Sequence, residues 1–486
     1  MRVLPTILLL CSALLPSTAF AYGVLSHEEL IDMSWEVVIR PALVQRFPSA
    51  TAEQVKDAHA YAYGGSVIQD LGYYPFGNHE FTNMLHYVRS GDFVSWMLRD
   101  SRSINEFAFA LGALSHYIAD CAGHPAVNAG VAIEYPKLRD RYGNMVTYED
   151  DPEAHLKTEF SFDVLQVAKR RYISKQYHDF IGFQVSEDLL ERAFLDTYGI
   201  KLDDLLPVDD LSIETFRFGV SRVIPEMTQV ALASRKPDVP HEKRDKARSE
   251  FLYHLSRADY EKEFGAKYQK PGFFARLIAF LLKLIPKFGP FKALKYKDPT
   301  PQTEDRYFKS MNNVVNDYIQ LVHEVDTHEM RVADTNSTDL PQSGKGGEGL
   351  KRSERFMAST DKHDSGAEGA ENQENASSND RANQPAAQEA ISPSLHFENR
   401  NLDTGGPSRA GTYKLADRTY AGLVRRLYRD HFHHLTPDLK ANIVDYFASG
   451  PIEENVKGRA LRDTQRDLNA LKAAPTVAPA SLSIQK

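Results

Sequence analysis

The chain has little cysteine: Cys11 and Cys121 are the two among 486 residues. Cys11 lies in an N-terminal stretch that reads as removable, so Cys121 stands alone in the mature chain and an intrachain disulfide is excluded. A basic surplus is also missing. Lys and Arg total 58 against 66 Asp and Glu, for a net charge of -8. That balance argues against a general nucleic-acid binder, and no stable nucleic-acid partner is expected. Beyond the first 21 residues no run reaches the ~20 apolar residues of a membrane span. Sustained apolar/polar alternation of the strand kind is absent too, as are internal repeats. A secreted chain without disulfides needs another staple, and bound metal can serve.

Residues 1–21 read as a secretory signal peptide. Arg2 precedes an apolar stretch through Leu14-Leu15, and Ala19-Phe20-Ala21 supplies the small residues that signal peptidase prefers. The expected location is therefore secreted or periplasmic. A rival lipoprotein reading would use Cys11, but Leu10 stands before it where a small residue is expected. Cleavage after Ala21 makes Tyr22 the new N-terminus and moves the net charge from -8 to -9 through the loss of Arg2. A free α-amine with a pKa of about 8 can give up its proton to a metal.

What is present is helical pattern, and the expected fold class is all-α, a multi-helix domain. Ser26 with Glu29 forms a capping-box pattern opening a helix through Leu30, Met33, Val37 and Val38. Ser103 with Glu106 opens another that carries His116 and Asp120. Further helical patterns cover about 52–72, 84–99, 152–173, 186–198, 210–234, 246–263, 303–328, 414–429 and 436–449. The small-residue stretch Ala60-Tyr-Ala-Tyr-Gly-Gly-Ser66 would let helices approach closely. Residues 331–398 are rich in Ser, Gly, Asn, Asp, Glu and Gln and too poor in apolar groups to offset their ordering entropy, so they read as a disordered insertion. The division expected is a catalytic domain over 22–330, that insertion, helices over 399–455 returning to the domain, and a flexible tail over 456–486.

Within the first part lies a set of His, Asp and Glu residues with metal-ligand spacing. His116 and Asp120 are four apart, as are His155 and Glu159, so each pair falls on one helix face. Tyr22, His27, Asp70, His86 and His124 complete the set. Mixed imidazole and carboxylate donors suit zinc. His79 competes with His86 from a turn-like stretch, and His59 reads as a packing or supporting histidine. His431, His433 and His434, crowded at a helix end, read as polar surface.

This ordered set resembles the zinc-dependent phospholipase C family, which includes the clostridial alpha-toxins, and is more distantly similar to single-strand-specific zinc nucleases. The matching elements are Tyr22-Gly23 with His27, then Asp70 and His86, His116-x-x-x-Asp120, and His155-x-x-x-Glu159. Two features depart from the family pattern. Tyr22 stands where Trp is usual, and His124 follows Asp120 by four residues where six is usual. The resemblance implies three zincs: one on Asp70, His86, His116 and Asp120; a second on His124, His155 and Glu159; a third on the Tyr22 amine and carbonyl, His27 and the other Asp120 oxygen. It further implies phosphodiester hydrolysis by zinc-activated water, with Asp70 as general base.

The substrate expected is a glycerophospholipid, since the phospholipases carry Glu where Glu159 stands and the nucleases tend to carry Asp. Tyr73, Tyr74, Phe76 and Phe81 near Asp70 are candidates for a cation–π wall around choline, although Leu25 occupies the place of an acid found in choline-preferring members. A basic apolar stretch over 270–297 reads either as an interfacial helix giving peripheral membrane contact or as a mostly buried helix. The alternatives are a zinc-dependent single-strand nuclease and a metal-stapled non-enzymatic surface protein. If the Tyr22 amine is a ligand, N-terminal sequencing of the naturally processed protein should read Tyr22 first, and a version beginning Met-Tyr22 should lose one zinc and most activity. Full activity in that extended version removes Tyr22 from the site.

Overall fold

The computed structural model describes residues 23–168, 182–206, 209–224, 227, 297–335 and 396–480. The expected signal peptide, Tyr22, the helical pattern at 246–263, residues 270–296 and residues 336–395 lie outside them. The described residues are all-α. Their pairing of strand type is limited to an isolated antiparallel bridge between Arg400 and Pro407.

A central helix organises the rest. It is α6 (Ile104–Glu134), and Ser103 caps its start by accepting a hydrogen bond from the Glu106 amide at 3.2 Å. Its residues 107–121 are almost all buried, so it is apolar around most of its circumference and needs cover on every side. Helix α3 (Ala52–Ser66) lies along one side, and α11 (Pro301–Thr335) lies along another. Helices α1 (Val24–Ser34), α2 (Arg40–Arg46), α4 (His79–Tyr87), α5 (Ser90–Asp100), α7 (Pro136–Tyr142) and α8 (Pro152–Ala168) fill the remaining positions, with a 3-10 segment at Ile68–Tyr73. Then come α9 (Glu187–Tyr198) and α10 (Asp209–Phe218), and past the insertion α12 (Lys414–Arg429), α13 (Pro437–Ala448) and α14 (Gly458–Ala473).

The small-residue stretch in α3 acts as expected. A Cβ on Gly65 would lie 2.0 Å from the Phe109 carbonyl oxygen, and one on Gly112 would lie 2.2 Å from that of Ala62. The two backbones therefore touch where both sequences are smallest. This close approach allows His116 Nδ1, on α6, to donate to the Ser66 carbonyl at the end of α3 over 2.9 Å.

Four expectations need correcting. The pattern at 84–99 is two helices, broken at Arg89, which adopts a left-handed backbone (φ 52°). The buried Arg89 side chain compensates by pairing with Asp92 at 2.6 Å and donating to the Thr197 carbonyl at 3.0 Å. At the start of the domain the Ser26–Glu29 box is not formed: α1 begins at Val24, and a carboxylate from another helix does the capping. A π segment at Trp35–Ile39 resets the helical phase, so Val38 is buried while Val37 faces solvent. Lastly, the tail expected to be loose after 456 contains α14, whose Thr464, Asp467 and Leu471 are buried as it packs on α12. The Ala/Pro/Ser composition that suggested looseness belongs to the residues after that helix.

The helices that follow residue 413 pack on the earlier ones. Helix α12 packs on α4, and Arg426 grips both carboxylate oxygens of Glu80. Replacing Gly112 by Val should push α3 and α6 apart, costing about 1–3 kcal/mol as an overpacked core does. Urea denaturation measures this, and an unchanged midpoint would show that the backbone contact is not needed.

Candidate metal centre

Four helices and one 3-10 turn bring the described predicted ligands together. Helix α6 carries His116, Asp120 and His124 at four-residue intervals, so three ligand candidates line two turns of one face. Helix α8 carries His155 and Glu159 in the same way, with His155 Nε2 2.6 Å from Glu159 Oε1. His27 lies in the first turn of α1, Asp70 in the 3-10 turn, and His86 in the last turn of α4. All of these side chains are buried.

Asp120 sits at the junction. Its Oδ1 is 3.5 Å from His27 Nε2, while its Oδ2 is 3.1 Å from His116 Nε2 and 3.4 Å from His86 Nε2. His86 Nε2 is also 3.4 Å from Asp70 Oδ1. Donors at about 2.0–2.1 Å from a tetrahedral zinc stand roughly 3.3 Å apart, which is the spacing seen here. Asp120 thus presents one oxygen to each of two donor groups. Among the described residues three groups have geometry that could hold an ion: His27 with His116 and Asp120; Asp70 with His86 and His116; His124 with His155 and Glu159. Of the predicted ligands, only Tyr22 has no described position.

The histidines are held in one tautomer. His86 Nδ1 donates to the Thr82 carbonyl and His116 Nδ1 to that of Ser66, both at 2.9 Å. With the proton fixed on Nδ1, Nε2 keeps its lone pair for the cluster. The inner atoms lack protein hydrogen bonds: both oxygens of Asp70, both of Asp120, and His116 Nε2 are buried and unmatched. Buried polar atoms are normally paired, so these donors suit a cation. Burial lowers the affinity of His27 for a proton well below the ordinary range, helped by the His116 imidazole. Burial also acts against a charged His86, but the carboxylates of Asp120 and Asp70 outweigh it and raise its pKa to about 10. Glu159 is pushed well above the carboxylate range by burial, with Asp70, Asp120 and Asp403 adding repulsion. Positive charge inside the cluster would relieve these conflicts together, and mixed imidazole and carboxylate donors fit zinc.

The competing histidines are elsewhere. His79 is exposed and meets Tyr73 edge-on. His59 stacks on Trp35 with centroids 3.7 Å apart and bonds Asp32 at 3.1 Å, as befits a packing residue. His431 and His433 are at the surface. The proposed aromatic wall is only partly present. Phe81 is core against Phe194, Tyr74 packs on Phe216, and Phe76 is exposed. Tyr73 does flank His86 and Tyr148. Tyr148, not singled out in the sequence, also meets His155 edge-on.

A second missed residue is Asp163, one turn beyond Glu159 on the same α8 face. Its carboxylate accepts from the Leu25 amide at 3.4 Å, and from the Ser26 amide and hydroxyl at 3.2 and 3.1 Å. It therefore caps α1 and fixes the turn bearing His27. Gly23 is needed for this, since a Cβ there would fall 2.1 Å from the carboxylate. Continuing the four-residue period past His155 and Glu159 would have pointed to it.

Residues 30–203 match the family model described as zinc dependent phospholipase C, a segment that includes every predicted ligand except Tyr22 and His27. Over this segment, somewhat more than a third of the chain, the protein is similar to the zinc-dependent phospholipase C family. No curated protein and no solved structure matches the chain.

The Asp163 cap gives a specific test. Asp163→Ala should cost about 1–3 kcal/mol by leaving buried amides unmatched. Gly23→Ala should destabilise the wild type but be milder in the Asp163→Ala background, because the clash has been removed. Equal effects of Gly23→Ala in both backgrounds, measured by chemical denaturation, would show the two residues to be independent.

Proposed function

We propose that this chain is a secreted zinc-dependent phosphodiester hydrolase, a phospholipase C cleaving glycerophospholipids on the glycerol side of the phosphate. The observation that carries the reading is the bridging position of Asp120 between two groups of buried imidazoles and carboxylates. Asp70, His86, His116 and Asp120 would hold one zinc, and His124, His155 and Glu159 a second. His27 and Asp120 would hold a third together with the Tyr22 amine and carbonyl; Tyr22 lies outside the described residues. When bound, the zincs offset the negative charge of the phosphodiester and lower the pKa of water towards ~7.

The protein's own groups do the rest. Asp70 is the general base: both its oxygens are buried without a protein hydrogen bond, so one can accept the proton of the attacking water. His86 and His116, anchored through Nδ1, keep their donor atoms fixed relative to Asp70. Tyr73 and Tyr148 stand beside His86 and His155, where aromatic faces suit the apolar parts of a lipid headgroup or its cation. Burial holds both phenols above the ordinary tyrosine range, so they stay neutral donors.

Contact with lipid is assigned to the basic apolar stretch, of which only Lys297 is described. That lysine donates to the Glu134 carbonyl at 2.6 Å and covers the Tyr135 ring, so the stretch ends docked on α6. Among the described residues no helix is long and apolar enough to cross a membrane.

The test is metal analysis of the processed protein, followed by parallel assays on phosphatidylcholine vesicles, single-stranded DNA and a soluble phosphodiester. Zinc and vesicle hydrolysis are expected together. His116→Ala, Asp120→Ala and His155→Ala should each lower zinc content and cut the rate about 10²–10⁴-fold, as expected for several kcal/mol of transition-state stabilisation. Chelation should also lower the melting temperature, since the ligands tie separate helices together. Full activity after complete zinc removal would sink the mechanism, and cleavage confined to DNA would make the protein a nuclease.

A further inference from the structure

Asp403 lies beyond the long low-complexity segment and belongs to none of the spaced pairs. The loop that carries it is fastened across three helices of the domain. Ser90 Oγ, on α5, donates to the Arg400 carbonyl at 2.6 Å. The Leu402 amide donates to the carbonyl of His86, on α4, at 3.0 Å, and Asn128 Nδ2, on α6, donates to the Asp403 carbonyl at 2.8 Å. The loop is thus tied to the backbone of one predicted ligand and, one turn past His124, to the helix of another.

The Asp403 side chain is buried. Tyr413 hydroxyl donates to its Oδ2. Its Oδ1 points the other way, 2.9 Å from His124 Nδ1 and 3.9 Å from His155 Nε2. The distance is short, but the angle of this contact falls outside hydrogen-bond geometry for both Asp403 Oδ1 and His124 Nδ1. In a hydrogen bond the oxygen would lie near the N–H axis. Two donor atoms this close but off that axis are placed as neighbouring ligands of a third centre. The other carboxylate at this end, Glu159, approaches His155 and, at 4.0 Å, His124 Nε2.

From this geometry we infer that Asp403 Oδ1 is a fourth protein ligand of the second metal, beside His124, His155 and Glu159, with His124 coordinating through Nδ1. The inference rests on the zinc reading above. It has a chemical consequence and a structural one. Two carboxylates balance the charge of one dication at this site, so burying the metal there costs less. The segment after the insertion becomes part of the metal centre, so metal binding and docking of residues 396–413 stabilise each other.

The experiment uses the processed full chain loaded with zinc or cobalt(II). Metal per chain is counted by mass spectrometry, affinity is measured by chelator competition, and the cobalt(II) form is followed by its visible absorption. Asp403→Asn keeps the size of the side chain, and Asp403→Ala removes it. Tyr413→Phe is the control that loses the Oδ2 hydrogen bond but keeps the carboxylate. Both Asp403 variants should bind one metal at least ~10-fold more weakly and change the cobalt spectrum, with helical circular dichroism retained in Asp403→Asn. Tyr413→Phe should keep the full count. Unchanged count, affinity and spectrum in Asp403→Asn would overturn the inference. So would weaker binding with an unchanged spectrum, which would make Asp403 a partner that orients His124. A wild type that binds no metal would instead overturn the zinc reading, whatever Asp403 does.

Discussion

Carboxylates are seldom buried without a counter-charge, because taking an ion out of water costs several kcal/mol even after relaxation. Here Asp70, Asp120, Glu159 and Asp403 are buried within one region, and the partners they approach there are imidazoles. Imidazoles meet that demand only by holding protons, and crowding opposes this: His27 stacks on His116 with centroids 4.4 Å apart. A dication resolves both difficulties. It satisfies the carboxylates and uses the neutral imidazoles as donors. Helices α1, α4, α6, α8 and the loop after the insertion each contribute a buried group to this one region.

The scaffold behind the ligands is equally specific. His86 and His116 direct their second nitrogens to backbone carbonyls, which ties ring orientation to helix position. The carbonyl that holds His116 belongs to Ser66, and it is within reach because α3 and α6 touch at glycine. Asp163 caps α1 and so sets the depth of His27. A residue that only packs or caps therefore decides where a donor atom lies, and the fold and the site cannot be separated.

The domain is also not closed by its first part alone. Residues after the insertion cover α4 and α5, with Phe397 in the core, the Phe397 amide on Ser95 Oγ at 3.1 Å and Arg426 on Glu80. A family segment ending at residue 203 is therefore completed by a loop two hundred residues further along. Loop-closure entropy grows only slowly with length, so a long intervening segment is a modest obstacle to this docking.

The sequence by itself determined the helical class and the pairing of imidazole with carboxylate on shared helix faces. The reason is local: His116 with Asp120 and His155 with Glu159 lie one turn apart on any helix, whatever surrounds them. Tertiary structure alone decided the rest. Asp120 bridges because α1 and α4 arrive on opposite sides of its carboxylate. Phe81 and Tyr74 belong to the core because α9 and α10 cover them, which no local pattern reveals. The break at Arg89 depends on a carbonyl from α9. Asp403 shares no period with the residues it approaches, and its position is set by hydrogen bonds to α4, α5 and α6. Helical spacing reports contacts one turn away, whereas contacts across hundreds of residues depend on how whole helices pack.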